Sequence, residues 1–200
     1  LSGGKDGLTY YISGNYFNQQ GIVVGSGFQR KSLRANIESQ IKPWLKLGLN
    51  ATFGNTNQDI TLTNNANNSY SNVIAMTIQQ APDVPVRNVD GTFGGPSDID
   101  GLGAMSGANP VAQASTWKTN LDRNRLQSNV FLQTRFLKNF TFKTDFGSDL
   151  NWNTSDFFMP TFTWERVINS LNTYRVQNQK TTDWSWRRIL TYQKKFANAP

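Results

Sequence analysis

An all-β fold of the membrane-barrel kind is what this 200-residue sequence predicts, and three observations predict it. Long stretches alternate apolar and polar residues with a period of two, which separates two faces on a strand and scatters them on a helix. The connections between those stretches are short and long by turns. The hydrophobic share is only 37% and the mean hydropathy -0.53. The apolar residues nevertheless gather on single faces, and a wall that meets lipid on one side only can have a water-soluble average.

The first element runs from Leu8 to Phe17, with Leu8, Tyr10, Ile12, Gly14 and Tyr16 opposed by Thr9, Tyr11, Ser13, Asn15 and Phe17. The second, Phe28 to Ile41, sets Leu33, Ala35, Ile37 and Ile41 against Arg30, Ser32, Arg34, Asn36 and Glu38. Lys42-Pro43-Trp44 breaks it, and the third, Leu45 to Phe53, opposes its leucines to Lys46, Gly48, Asn50 and Thr52. Asn55 to Asp122 reads as a long Asn-, Gly-, Pro- and Ser-rich loop, with one short helix near Ser71 to Gln80 ended by Pro82. Alternation returns in Arg125 to Leu137, turns at Lys138-Asn139, and continues through Phe140 to Leu150. A second long loop, Asn151 to Lys180, leads to a sixth strand, Thr181 to Phe196, whose alternation is ambiguous at Arg187 and Arg188.

Gly4 to Gly7, Lys42 to Trp44, Lys138-Asn139 and Ala197 to Pro200 read as the short connections; Gln19 to Gly27 and the two long loops lie between them. Short turns at one end and long loops at the other fit a barrel with its turns on the periplasmic side. A soluble β-sandwich, lectin-like and using the same loops to bind carbohydrate, shares the strand pattern and is the alternative. About six strands cannot close around a lumen, and an open edge in lipid leaves backbone groups unpaired. The expectation is therefore three hairpins of a larger barrel. No apolar run approaches the roughly 18 residues of a membrane helix, and Leu1-Ser2-Gly3-Gly4 shows no signal-peptide pattern.

With no His and no Cys, a Ser/His/Asp triad, a thiolate nucleophile, a disulfide and the usual zinc sites are excluded. No cofactor or metal is expected, and no enzyme. Asp83, Asp90, Asp98 and Asp100 share a loop but lack calcium-loop spacing. The net charge of +7 is spread among acidic partners, so nucleic acid is not an expected ligand. Arg30, Arg34, Lys46, Arg135 and Lys143 lie on polar faces and are the candidates for facing a lumen or plug. Trp117, Phe157, Trp164 and Tyr174, in or beside the long loops, are the candidates for stacking on a ligand or partner.

Several segments together resemble one family. Tyr10-Tyr11-Ile12-Ser13-Gly14-Asn15-Tyr16-Phe17-Asn18-Gln19-Gln20-Gly21-Ile22-Val23, Phe28 to Ile37 and Trp44 to Asn50 are similar to segments of SusC/RagA-type TonB-linked outer-membrane proteins. So are Ala81 to Val86 with Asn88-Val89-Asp90-Gly91-Thr92-Phe93, Asn109-Pro110-Val111-Ala112, and Phe140 to Gly147, in the family's order. The resemblance implies a barrel of about 22 strands, of which residues 1–200 would be one part without the plug or signal peptide. It implies import of oligosaccharides or peptides across a Gram-negative, Bacteroidetes-like outer membrane, powered by TonB–ExbB–ExbD through the plug. A SusD-like surface lipoprotein would be the partner, and outer-membrane lipid the surroundings.

Overall fold

The computed structural model describes residues 1–61, 72–82, 84–95, 109–164 and 167–194. Strands β1 (Ser2–Lys5), β2 (Leu8–Gln20), β3 (Gly27–Lys42) and β4 (Leu45–Asp59) are followed by helices α1 (Val73–Gln79) and α2 (Pro110–Thr116). Then come β5 (Lys118–Phe136), β6 (Phe140–Met159), the short β7 (Phe162–Trp164) and β8 (Val167–Asn169), and β9 (Thr173–Tyr192). One antiparallel sheet has the order β1-β2-β3-β4-β5-β6-β9, and β7 pairs with β8 separately. No second sheet packs on the large one among the described residues, so the sandwich alternative has no opposing layer.

The sheet holds seven strands where six were expected. The added strand is Ser2–Lys5, which overlaps the short connection expected at Gly4 to Gly7, because a short Gly-Gly stretch has no alternation to detect. It pairs with β2 through an Asp6-Gly7 turn whose φ values are 49° and 83°, the type I′ geometry that suits a hairpin's twist. The larger correction concerns strand length. Asn55–Asp59, Lys118–Asn124, Asn151–Met159 and Thr173–Lys180 are ladder strand, not loop. Their polar side chains point both ways, so no facial contrast marks them.

The register explains this. Across the sheet, Tyr10, Ile37, Leu49, Val130, Phe146 and Trp186 form one cross-strand row on the apolar face. The last apolar row is Gly14, Leu33, Phe53, Leu126, Leu150 and Thr182. The next is Tyr16, Lys31, Asn55, Asn124, Trp152 and Lys180, and the one beyond it is Asn18, Gln29, Asn57, Asp122, Thr154 and Asn178. The same face thus changes from apolar to amide-rich at one level. Its other limit is the stacked row Phe136, Phe140 and Tyr192, with ring centroids 5.6 and 4.8 Å apart. Between the limits, β6 runs from Phe140 to Leu150, close to the 9–11 tilted residues that cross a bilayer. Arg187 and Arg188 fall on opposite faces. Arg187 meets Asp145, and Arg188 lies 4.2 Å from the Trp186 ring centroid on the apolar side.

The accessible surface is 14054 Å², against the roughly 9,500 Å² of a compact monomer of this mass. Among the described residues the buried apolar ones are Val73, Met76, Ala112, Ala114, Trp164 and Phe131. Of these, only Phe131 belongs to the large sheet. The rest form a core among the connections at the polar end of the strands, with Val23, Phe93 and Phe162 packed on it.

Candidate functional site

Two surfaces qualify: the polar face of the sheet, and the loop layer over its polar end. On the polar face the register gathers the five basic candidates, Arg30 and Arg34 from β3, Lys46 from β4, Arg135 from β5 and Lys143 from β6. One row reads Ser13, Arg34, Thr52, Gln127, Asp149 and Asp183. From Arg34 to Asp183 this row, with Asn36, Asn50, Asn129 and Ser185, lines a shallow recess of about 460 Å³. Arg125 grips Asp149 through both guanidinium arms, Nε donating to Oδ1 at 2.9 Å, while Gln127 Nε2 and Asn151 Nδ2 donate at 3.1 and 3.2 Å. Amides, hydroxyls and balanced charges in such density suit many hydrogen bonds to a polar surface.

Toward the short-turn end the wall becomes basic. Lys46 pairs with Glu38 at 2.5 Å, and Lys143 lies 4.6 Å from the Phe131 ring centroid. Phe131 lies over Gly48, where a Cβ would come within 2.1 Å of the ring, so β4 requires glycine there. Beside it Asp145, only 3% exposed, accepts from Arg187 Nε at 2.9 Å. Arg135 and Lys143 leave this end with more cations than carboxylates.

The loop layer is built from three connections. Gly25, at φ 78°, lets the 21–26 loop approach α2, because a Cβ there would lie 2.5 Å from the Ala114 carbonyl oxygen. Thr61 Oγ1 donates to the Val24 carbonyl at 2.7 Å and ties this loop to the end of β4. Asn109, 2% exposed, caps α2 by accepting from the Val111 and Ala112 amides at 3.0 and 2.9 Å. Its own amide donates to the Val86 and Gly94 carbonyls at 2.8 and 3.0 Å. The tip of the 84–95 segment is closed by Asp90, which accepts from Thr92 Oγ1 at 2.6 Å and Thr92 N at 3.0 Å. The Thr92 hydroxyl first, and its backbone N–H second, hold the Asp90 carboxyl below its ordinary range.

Three of the four aromatic candidates are brought together. Trp117 meets Phe157 edge-on at 6.2 Å and Phe162 at 6.3 Å; Phe162 stacks on Trp164 at 3.8 Å, and Trp164 meets Phe93 at 6.5 Å. These rings lead from the top of the polar face into the loop core, where Trp164 is 3% exposed. The Trp117 indole N–H is buried with no partner among the described residues. Tyr174 stands apart, exposed on the other face of the sheet. Asn109, Phe93 and Phe162 are not among the candidate site residues of the sequence, although Asn109-Pro110 is a helix-start signal of N-cap plus first-turn proline. Asp83, Asp98 and Asp100, the start of the expected helix at Ser71, and the turn at Ala197 to Pro200 lie outside the described residues. Among the described residues no group of three or more metal-ligating side chains occurs.

No protein-family model matches the chain. It is 31% identical over 98% of its length to the TonB-dependent receptor P3 of Formosa agariphila, covering 19% of that protein. It is 27% identical over 81% of its length to the TonB-dependent receptor P26 of the same organism, covering 14%. The chain thus spans about a fifth or less of the curated relatives it matches. Two solved structures share its fold: the RagAB peptide importer in the closed-closed state and the RagAB peptide transporter. The first superposes with a TM-score of 0.73 at 23% identity, the second with 0.72 at 22%, each over 98% of this chain and 22% of the other.

Proposed function

Since the chain belongs to the TonB-dependent receptor family, whose members are outer-membrane proteins, we propose that it forms wall and mouth of a bacterial outer-membrane importer. Residues 1–200 would be one part of a barrel domain of about 22 strands. The apolar face meets lipid, the polar face with Arg30, Arg34, Lys46, Arg135 and Lys143 meets the lumen and plug, and the loop layer faces the medium. One observation carries this reading: a single face changes from apolar to amide-rich along one cross-strand row, and every long connection lies beyond the amide-rich side.

The cargo would be an oligosaccharide or a peptide. The amide-lined recess at Arg34, Asn36 and Asp149 supports this class, since such groups hydrogen-bond hydroxyls and peptide units alike. A SusD-like surface lipoprotein would share capture at the mouth, and TonB–ExbB–ExbD would act through a plug. The segment takes part in binding and passage, not in catalysis.

The absence of cysteine makes a topological test direct. In a cysteine-free parent receptor, a membrane-impermeant maleimide added to intact cells is expected to label Val89→Cys in the loop layer and to spare Leu137→Cys at the β5–β6 turn until the cells are lysed. Labelling of both in intact cells, or of neither, refutes the placement.

A further inference from the structure

Two recesses adjoin on the apolar face where it turns polar. The lower, about 430 Å³, is lined by Gly14, Tyr16, Lys31, Leu33 and Phe53. Its floor is open because Gly14 has no side chain; a Cβ there would meet only the Ser32 carbonyl oxygen, at 3.9 Å. The upper, about 490 Å³, holds Asn18, Gln20, Gln29, Asn57 and Asp59 beside the 21–26 loop. Between them stand Tyr16 and Lys31, directly opposite each other in the ladder. Gln29 Nε2 donates to Tyr16 Oη at 3.0 Å, which leaves the phenol's own proton for another acceptor. None of the ion pairs among the described residues involves Lys31.

We propose that these recesses bind a phosphorylated glycolipid of the outer leaflet. One acyl chain lies over Gly14 between Leu33, Phe53 and Tyr16, the phosphate meets Lys31 and the Tyr16 hydroxyl, and the sugar enters the upper recess beside Asn18 and Gln29. The assignment rests on the membrane placement proposed above. Any groove on a lipid-facing wall fills with acyl chain, so shape alone selects nothing there. A cation and a hydroxyl donor at its mouth select an anionic oxygen. An ammonium at the edge of hydrocarbon requires water or a counter-charge. On this face Asp59 accepts from Asn120 Nδ2 at 2.9 Å and Asp122 from Asn55 Nδ2 at 3.2 Å, and neither forms an ion pair with Lys31.

The test is native mass spectrometry of the detergent-extracted parent receptor, loaded with a monophosphorylated glucosamine lipid or with its dephosphorylated form. Wild type is expected to retain the phosphorylated lipid at least about tenfold better, the scale of one net hydrogen bond to a charged phosphate. Lys31→Gln removes that preference, and Gly14→Leu, for which the backbone has room, lowers retention of both lipids. Excess inorganic phosphate leaves retention in place; displacement by it would indicate a free-anion site and overturn the glycolipid assignment. Equal retention of the two lipids by wild type, or a preference that survives Lys31→Gln, also overturns it. Recovery of each variant in the outer-membrane fraction as a heat-modifiable band is scored separately, and absence of the wild-type receptor there defeats the barrel reading instead.

Discussion

Asn109 caps α2 with its carbonyl oxygen and clasps the Val86 and Gly94 carbonyls with its amide. Asn109→Ala loses the cap and leaves two acceptors unpaired, a local cost of about 2–4 kcal/mol. Amide exchange within Pro110–Thr116 should accelerate accordingly, whereas Asn109→Asp, which keeps the acceptor only, should fall between. Asp90 yields a pH dependence. Its carboxyl is lowered by the Thr92 hydroxyl and N–H, so the charged form closes the turn. That contribution is fully present above the unfolded value near 3.9 and disappears as pH falls through the lower folded one. Protection of the Thr92 amide, corrected for intrinsic exchange, should therefore drop below about pH 4 in wild type and show no such step in Asp90→Asn. Equal steps in both would locate the titration elsewhere. Such residue-scale detail was only partly legible in the sequence. Asn109-Pro110 announces a helix start, but the two carbonyls it clasps are 15 and 23 residues away. Trp164 reads as a loop aromatic because nothing local tells that Val73, Met76 and Ala112 converge on it.

On a single strand face, the boundary row divides an apolar zone from an amide-rich one. Val130 lies midway between the Leu126 and Phe136 limits, whereas Asn57 lies beyond the boundary on the same face. Val130→Lys should cost about 2–4 kcal/mol near the bilayer middle, and Asn57→Lys only the roughly 1 kcal/mol of its lost amide pairing with Asn120. The fraction of heat-modifiable receptor in the outer membrane measures both; equal losses would contradict the assigned boundary. The lower halves of the strands were readable because one face is apolar and the other polar, as at Leu33, Ala35 and Ile37 against Arg34, Asn36 and Glu38. The upper halves were not. Asn55, Thr56, Asn57 and Gln58 are polar on both faces, and a run of Asn and Thr is also what a loop contains. Cross-strand amides supply the missing order: Asn57 and Asn120 exchange hydrogen bonds at 3.2 and 3.0 Å, and Asn55 reaches Asn124 at 2.9 Å. Those partners are more than 60 residues apart in sequence, beyond any local pattern.

For the molecule as a whole, the buried apolar residues and the largest apolar surface lie in different places. The loop layer owns nearly all of the core, while the sheet displays Leu33, Val130, Phe146, Trp184, Trp186 and Leu190 uncovered. The 200 residues alone, in buffer without detergent, should therefore associate and not sediment as a monodisperse monomer with cooperative unfolding. A well-behaved monomer would count decisively against a lipid-facing wall. The strand lengths carry a further consequence. From Leu126 to Lys118, β5 climbs eight residues past the apolar boundary, roughly 20 Å for a tilted strand. The surface potential of an anionic bilayer decays within about 8 Å at physiological salt. In the importer proposed above, that field would have faded at the height of the loop layer, so an arriving solute would be sorted by the entrance's own dipoles and charges and not by the charge of the surrounding lipid.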